Sequence, residues 1–321
     1  MSQKLGSIMF GIKFRRIALG AAAATAILSV LPVTATAAPP SWRMVDLGAG
    51  DGSVAWAIND RGHVVGTRGD GEAFLWRHGR TTDLGAFTPT DVNNREEVVG
   101  YRFDETGTRA VLWRKGVRTD LATSPGGQTL AAAVNDRTEI VGWSTAGADS
   151  PMRASSWRHG VRTPIGGDHS QAADINNRGQ VVGSAGSLNA VAVRWWRGKE
   201  TRLSTDPSQA MAVNRSGTVT GLHFGPSTDG FVWQRGRFVV LPAPAGEPLF
   251  SFLQPAGING RTQIVGSSSD GAFVRERGRT TILPALTRAS SANDINEHGV
   301  IAGSNPTTTE GLRPHAVLWL R

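Results

Sequence analysis

The 321-residue chain contains no cysteine, four lysines and one tyrosine. The absence of cysteine excludes disulfide bonds, thiolate metal sites, a cysteine nucleophile and a lipoprotein anchor. The scarcity of lysine argues against long surface helices, where lysine is a favoured residue. Glycine occurs 40 times, which is typical of many short strands joined by turns. Because 39% of the residues are apolar, the chain can form a core, and general disorder is not expected.

The N-terminal apolar segment is short. Residues 17–31 form a run of 15 residues without a charge, whereas a membrane-spanning helix needs about 20. A basic segment precedes this run, and Ala35-Thr36-Ala37 follows it. This layout predicts a secretory signal over residues 1–37, cleaved after Ala37, and an extracellular protein. An uncleaved anchor is the alternative reading, and Arg15-Arg16 leaves both the Sec and the twin-arginine routes open.

The net charge of +8 falls to +4 without the signal, because the signal contains four basic residues and no acidic one. The remaining basic residues alternate with acidic ones and form no basic block along the sequence. Nucleic-acid binding requires a concentrated basic patch. The sequence therefore predicts no nucleic-acid partner.

Seven segments of the chain share one pattern, centred on an asparagine that follows an aliphatic residue. Seven residues after each asparagine comes a glycine, and a tryptophan follows further on in six of the seven repeats, with Arg275 in the sixth. The intervals between the asparagines are 34, 42, 41, 38, 45 and 37 residues. The asparagines are Asn59, Asn93, Asn135, Asn176, Asn214, Asn259 and Asn296, and the glycines are Gly66, Gly100, Gly142, Gly183, Gly221, Gly266 and Gly303. A fixed order repeated seven times indicates a repeat architecture.

Each repeat predicts four strands, which we name A to D. In the first repeat, residues 54–58 form strand A, 63–67 strand B, 73–77 strand C and 80–84 strand D. The asparagine is expected to bond its own A–B turn and to tolerate a positive φ there. Four short strands at a period near 40 predict propeller blades, and a ring removes the exposed sheet edges of an open stack.

The two ends of the repeated region complete one another. The seventh repeat stops at Trp319-Leu320-Arg321, after strand C. Residues 42–48 match the strand D sequence of the other repeats. We therefore expect residues 38–321 to form one all-β domain. Its predicted fold is a seven-bladed β-propeller of four-stranded antiparallel blades, with the N-terminal strand completing the last blade.

The blade sequences resemble a known family. The segments Glu72-Ala73-Phe74-Leu75-Trp76 and His315-Ala316-Val317-Leu318-Trp319, with the Ile-Asn…Val-Val-Gly element, are similar to the HAF repeat of extracellular bacterial proteins. The resemblance covers residues 42–321 and implies a secreted repeat protein with a propeller-like fold. The histidine of the motif is present only at His315, so the resemblance carries no catalytic residue.

Length variation is confined to two of the four connections. The A–B and C–D turns keep their lengths, whereas the B–C and D–A links vary. In an up-and-down blade these two variable links emerge on the same side. Because function tends to lie on variable loops over a rigid scaffold, we expect this side to bind the partner.

Aromatic residues on these links are the candidate ligand-binding residues. Tyr101 and Trp143 follow the strand B glycine in adjacent blades and offer a platform for a sugar ring or an apolar ligand. Phe250 and Phe252 lie in the longest D–A link. For all four, packing within the sheet or the loop is the competing interpretation. The recurrent tryptophans are expected to pack between blades.

Three carboxylates, Asp91, Asp174 and Asp294, precede the asparagine by two residues, near the expected ring axis. They suggest either a cation site or capping of neighbouring backbone, and capping is the preferred reading. No metal site and no cofactor are predicted.

Catalytic motifs are absent from the sequence: no nucleophile elbow, zinc motif, phosphate loop or dinucleotide fingerprint is present. His169, beside Asp168 in a D–A link, is a weak candidate, since a triad needs spatial proximity. The favoured function is a secreted, monomeric, non-enzymatic binding propeller that recognises a surface glycan or a protein. The alternatives are a secreted propeller lyase or hydrolase and a purely structural envelope component.

Overall fold

The computed structural model describes residues 41–242, 252–306 and 313–321. These residues form 28 β-strands and no helix, in seven four-stranded antiparallel sheets. The predicted secretory signal, residues 1–37, lies outside the described residues and stays a prediction.

Each sheet is one blade whose strands A to D follow one another in the chain. Blade 1 comprises β2 (Val54–Ile58), β3 (Val64–Thr67), β4 (Glu72–Arg77) and β5 (Arg80–Ala86). Blade 2 comprises β6 (Thr88–Val92), β7 (Val98–Asp104), β8 (Gly107–Arg114) and β9 (Val117–Asp120). Blade 3 comprises β10 (Thr129–Val134), β11 (Ile140–Ser144), β12 (Arg153–Arg158) and β13 (Val161–Asp168).

The remaining blades repeat this order. Blade 4 comprises β14 (Ser170–Ile175), β15 (Val181–Ala185), β16 (Val191–Trp196) and β17 (Lys199–Arg202). Blade 5 comprises β18 (Ser208–Val213), β19 (Val219–Phe224), β20 (Thr228–Gln234) and β21 (Arg237–Leu241). Blade 6 comprises β22 (Leu253–Ile258), β23 (Ile264–Ser268), β24 (Gly271–Glu276) and β25 (Arg279–Ile282). Blade 7 comprises β26 (Ser291–Ile295), β27 (Ile301–Pro306), β28 (Pro314–Leu320) and β1 (Arg43–Asp46).

The N-terminal strand closes the ring as predicted. Strand β1 pairs antiparallel with β28, with Val45 opposite Leu318. The last blade therefore takes its outermost strand from the start of the described chain. The molecule is a closed seven-bladed β-propeller.

The invariant strand B glycine is explained by a bulge in strand A. In every blade the pairing of strands A and B shifts register opposite this glycine. A Cβ atom on Gly142 would lie 1.9 Å from the carbonyl oxygen of Leu130, and the other six glycines meet the equivalent carbonyl within 2.1 Å. Only glycine fits at this close backbone approach.

Seven apolar clusters hold the blades together, one at each blade interface. The strand C tryptophan packs in the interface with the preceding blade, as predicted, and Trp157 and Trp319 are almost fully buried. The indole Nε1 of Trp157 also donates to the carbonyl of Ala122, in the link after blade 2, at 2.8 Å. In blade 6, Arg275 replaces the tryptophan, and its Nη1 donates to Thr280 within the same blade at 2.9 Å.

Candidate functional site

The strand order fixes two opposite faces of the ring. The tight-turn face consists of the A–B turns (59–63, 93–97, 135–139, 176–180, 214–218, 259–263, 296–300) and the C–D turns (77–80, 114–117, 158–161, 196–199, 234–237, 276–279). In blade 7 strands C and D are not joined by a turn, and the end of strand C, residues 320–321, is counted with the C–D turns. The long-loop face consists of the B–C and D–A connections. Because strands A to D run alternately up and down, the B–C and D–A connections emerge on the same side of every blade. The connections that vary in length between blades therefore all lie on the long-loop face.

A ring of buried asparagines surrounds the axial cavity on the tight-turn face. The Oδ1 atom of each repeated asparagine accepts from the backbone N–H groups two and four residues later, as Asn214 does from Ser216 and Thr218 at 3.0 Å. Its Nδ2 atom donates to the carbonyl of the equivalent asparagine in the next blade, as Asn214 does to Asn259 at 3.0 Å. The same pair of interactions occurs in all seven blades.

The predicted turn role of the asparagine is therefore confirmed, with one correction. The residue with positive φ is the third one after the asparagine, for example Gly62 at 76° and Glu96 at 61°, and not the asparagine itself. The asparagine stays outside the left-handed region because its Oδ1 acceptor already fixes the turn. The bond to the next blade was not predicted, since sequence periodicity carries no information about contacts between repeats.

Three carboxylates line the axial channel at a second level, in blades 2, 4 and 7. Each binds its own following N–H and an N–H of the next blade. Asp91 thus accepts from Val92 at 2.7 Å and from Val134 at 2.8 Å. Asp174 and Asp294 make equivalent bonds to Val213 and Ile58. The capping interpretation therefore describes these contacts, and the described residues contain no cluster of three acidic or histidine side chains suited to a metal ion.

Enclosure raises the pKa of these three carboxyl groups. Burial is the largest cause in each case, and it outweighs the lowering by the backbone hydrogen bonds. The pKa of Asp174 rises to about 6 and that of Asp294 to about 7. The pKa of Asp91 lies well above its ordinary value, and the charges of Asp294 and Asp174 add to the effect of burial. The channel thus disfavours negative charge, although carboxyl groups line it.

Three of the predicted ligand residues, Tyr101, Trp143 and Phe252, lie on the long-loop face, but they do not form one platform. Tyr101 is half-buried in β7, and its ring packs edge-on against Phe103, with centroids 5.5 Å apart. Trp143 is half-buried in β11, and among the described residues no aromatic contact joins it to Tyr101. Phe252 is half-buried directly before β22. Phe250 lies outside the described residues.

Exposed apolar residues at the ends of the B–C hairpins were missed by the sequence reasoning. Phe103 in blade 2 is 73% exposed and Leu188 in blade 4 is 95% exposed, with Met152 and Phe224 on the hairpins of blades 3 and 5. Leu286, in the link after blade 6, adds a fifth at 61%. These five residues, Phe103, Met152, Leu188, Phe224 and Leu286, form what we call the apolar arc. Their only signal in the sequence is that each falls in a segment of variable length.

The histidines of the long-loop face do not form a triad. His169 is exposed, occupies the single residue between β13 and β14, and has a positive φ of 58°. The neighbouring Asp168 instead binds Arg153, whose Nε lies 2.5 Å from its Oδ1. His223 Nε2 lies 3.8 Å from Asp206, while its Nδ1 is buried without a hydrogen-bond partner among the described residues.

His315, in strand C of blade 7, links the two ends of the ring. Its Nδ1 lies 2.7 Å from Asp46 at the end of β1, and its Nε2 lies 2.8 Å from Asp51 in the following loop. Desolvation, the largest single influence, lowers the pKa of His315. The hydrogen bonds and charges of the two aspartates together outweigh it and raise that pKa above its ordinary value. Both ring nitrogens are occupied, so His315 has no free nitrogen for proton transfer to a substrate.

A groove between blades 3 and 4 opens toward the tight-turn face, with a volume of about 410 Å³. The strand C tryptophan of blade 4, Trp195, lines this groove. Trp195 Nε1 donates to Glu200 of its own blade at 2.9 Å, whereas Trp157 and Trp319 donate to carbonyls in the link that follows the preceding blade. A second tryptophan, Trp196, lines the groove, and Arg197 covers its ring at 4.7 Å.

Comparisons with known proteins inform on the fold of this chain and not on its function. No family model matches the chain, and no curated protein matches it. The structure of YCF48 bound to D1 peptide is 9% identical over 88% of this chain and 97% of that one, with a TM-score of 0.52. An acylaminoacyl peptidase in complex with Z-Gly-Gly-Phe-chloromethyl ketone is 10% identical over 84% of this chain, with a TM-score of 0.50.

The chain spans about half of that peptidase, 51% of its length. An oxidoreductase of Thermus thermophilus, named as a glucose dehydrogenase, is 12% identical over 87% of this chain and all of that one, with a TM-score of 0.42. At 9–10% identity, the likeness to YCF48 and to the peptidase shows the propeller fold alone. No helix of the described residues is long and apolar enough to cross a membrane.

Proposed function

We propose that the chain is a secreted, non-enzymatic binding propeller with HAF-type repeats, and that its long-loop face recognises another protein. The apolar arc is the observation that carries this proposal. Large apolar side chains at the ends of successive hairpins on one face are typical of protein interaction sites. A surface glycan is the second candidate, because Tyr101 and Trp143 are half-buried on the same face and retain some exposed ring surface.

The contacts of the histidines support binding over hydrolysis. Asp168 is engaged by Arg153, and both nitrogens of His315 are engaged by carboxylates. Neither group is arranged as a general base beside a nucleophile. A lyase or hydrolase would have to use a different set of side chains.

The binding proposal is tested with a triple substitution in the apolar arc, Phe103→Ser, Leu188→Ser and Phe224→Ser. Mature protein is incubated with the protein fraction of the cell envelope and, separately, with a panel of polysaccharides. We expect retention on the protein fraction, reduced at least tenfold by the triple variant, and no soluble sugar product.

The matched control replaces three exposed apolar residues away from this face, Val117→Ser, Val161→Ser and Val239→Ser. It should retain binding within twofold. Equal loss in both variants would contradict the assignment to the long-loop face. Retention on polysaccharide alone would select the glycan candidate, and release of soluble products would establish the enzyme instead.

Export is proposed from residues 1–37 and is tested by the mature N-terminus. Mass spectrometry of protein from the culture medium should show a chain beginning at Ala38. A cell-associated chain that retains residue 1 would contradict the cleavage.

A further inference from the structure

Basic residues are concentrated on the tight-turn face, which the spacing along the sequence conceals. The A–B and C–D turns together contain eighteen arginines or lysines and seven acidic residues. The rest of the described chain has the opposite balance, with twelve basic and seventeen acidic residues. The sequence contains no basic block, but the folded chain has a basic face. Charges that stand about 40 residues apart in the sequence lie side by side in the ring.

On the tight-turn face the basic side chains are exposed to solvent, whereas the acidic ones are not. Of the eighteen basic residues on the tight-turn face, seventeen are exposed, and Arg77 alone is half-buried. None of the seven acidic residues on that face is exposed. Each acidic side chain has a local partner, as Glu96 has in Arg77 at 2.7 Å and Asp60 has in the backbone N–H of Glu297 at 2.9 Å. The negative charges are therefore used within the fold, while the positive charges face solvent.

Twelve of the eighteen basic residues have no ion-pair partner within the described part of the chain. They are Arg61, Arg80, Arg95, Lys115, Arg178, Arg197, Lys199, Arg235, Arg237, Arg261, Arg277 and Arg279. Such side chains keep their full charge available for a partner.

The turn geometry places these charges on five of the seven blades, all but blades 3 and 7. In six C–D turns the residue before the glycine has a positive φ of 45–52°, and it is always histidine, lysine or arginine. Lys115, Arg197 and Arg235 are examples at the tips of their hairpins. In five of the seven A–B turns an exposed arginine stands two residues after the asparagine, so a second, inner set of charges lies on the A–B turns.

We infer that the tight-turn face binds the surface of an anionic lipid bilayer. The unpaired charges lie on five blades around the ring and not along one stripe, so a planar anionic array can meet these five blades at once, whereas a linear polymer meets only some of them. Basic clusters bind anionic membranes through this kind of summed attraction. Val117 and Val161 add exposed apolar side chains directly after two of the C–D glycines.

This inference concerns the face opposite the apolar arc and does not depend on the proposed partner of the long-loop face. A molecule with both properties would lie flat on a membrane and present the apolar arc outward.

The test is sedimentation of residues 38–321 with vesicles of phosphatidylcholine containing 30% phosphatidylglycerol, and with vesicles of phosphatidylcholine alone. The face variant carries Lys115→Gln, Arg197→Gln, Arg235→Gln and Arg277→Gln. The control variant carries the same change in net charge at exposed arginines elsewhere, Arg153→Gln, Arg202→Gln, Arg288→Gln and Arg313→Gln. Circular dichroism and thermal unfolding confirm that each variant is folded.

We expect the unsubstituted protein to bind the anionic vesicles at least tenfold more than the neutral ones, and to lose binding as salt rises from 50 to 300 mM because screening shortens the range of the attraction. The face variant should lose at least tenfold, and the control variant less than twofold. Equal losses in the two variants would overturn the assignment to this face. Failure to bind anionic vesicles, with binding to a sulfated polysaccharide or a single-stranded oligonucleotide instead, would overturn the bilayer as the partner.

Discussion

The asparagine ring predicts a large loss of stability from one small substitution, Asn214→Ala. Asn214 is 3% exposed. Its side chain accepts from two backbone N–H groups of its own turn and donates to the carbonyl of Asn259 in the next blade. A hydrogen bond contributes about 1 kcal/mol net, and a buried donor left without a partner costs about 1–3 kcal/mol. Losing the three interactions should lower the free energy of unfolding by about 3–4 kcal/mol.

The assay is urea unfolding followed by tryptophan fluorescence, with the midpoint compared at an unchanged slope. Since about 1 kcal/mol corresponds to roughly 2 °C in a domain of this size, the thermal midpoint should fall by about 6–8 °C. Asn214→Asp separates the two parts of the effect, because it keeps the acceptor for the turn but faces the carbonyl of Asn259 with a carboxylate oxygen. It should cost less than Asn214→Ala but clearly more than a surface change.

The matched control is Asn189→Ala, at an exposed asparagine in the B–C link of blade 4. A surface substitution of this kind should change stability by no more than about 0.5 kcal/mol. If Asn214→Ala unfolds at the same urea concentration as Asn189→Ala, the ring does not hold the blades together, and the reasoning fails.

Further expected outcomes concern pH, packing and closure. The pKa of Asp294 is raised to about 7, chiefly by burial, so its contribution to stability is present below about pH 4 and lost as the pH rises toward 7, at about 1.4 kcal/mol per pKa unit. Asp294→Asn should flatten this part of a plot of unfolding free energy against pH. The pKa of His315 is also raised, so its contribution is complete below about pH 6.5 and lost as the pH rises through the folded value. His315→Gln should remove that loss, and an unchanged profile would contradict the link to Asp46 and Asp51. Gly142→Ala should prevent soluble expression or lower the thermal midpoint by more than 10 °C, since its Cβ would lie 1.9 Å from a carbonyl oxygen; a folded variant of normal midpoint would show that strand A can shift. Deleting residues 41–47 should expose the edge of β28 and cause aggregation on light scattering, which adding a synthetic peptide of those residues should reverse.

The sequence was sufficient to predict the fold because every blade carries the same short-range signals. The Asn-to-Gly spacing, the paired β-branched residues and the strand C tryptophan report on contacts within one hairpin or one interface, and seven copies make the pattern unambiguous. The closure of the ring by pairing of β1 with β28 was also predictable, since residues 42–48 repeat the sequence pattern of strand D.

The candidate site was less accessible from the sequence. Which residues of different blades meet depends on how the blades are arranged around the axis, and this arrangement has no local signature. Tyr101 and Trp143 occupy equivalent positions, yet Tyr101 pairs with Phe103 in its own hairpin. The basic face was missed for the same reason, because Arg61 and Arg261 are 200 residues apart in the sequence but occupy equivalent turns of the ring.

The amide bonds of the asparagine ring all point the same way around the axis, from each blade to the next, so they form a homodromic cycle. Each repeat therefore supplies both groups of the hydrogen bond between blades: an asparagine Nδ2 that donates to the next blade, and an asparagine carbonyl that accepts from the preceding one. A tandem duplication within the gene would insert a blade that already matches its neighbours at this hydrogen bond. The number of blades is then limited by the curvature of the ring and not by the chemistry of its interfaces, which gives this architecture a simple route to gain or lose repeats.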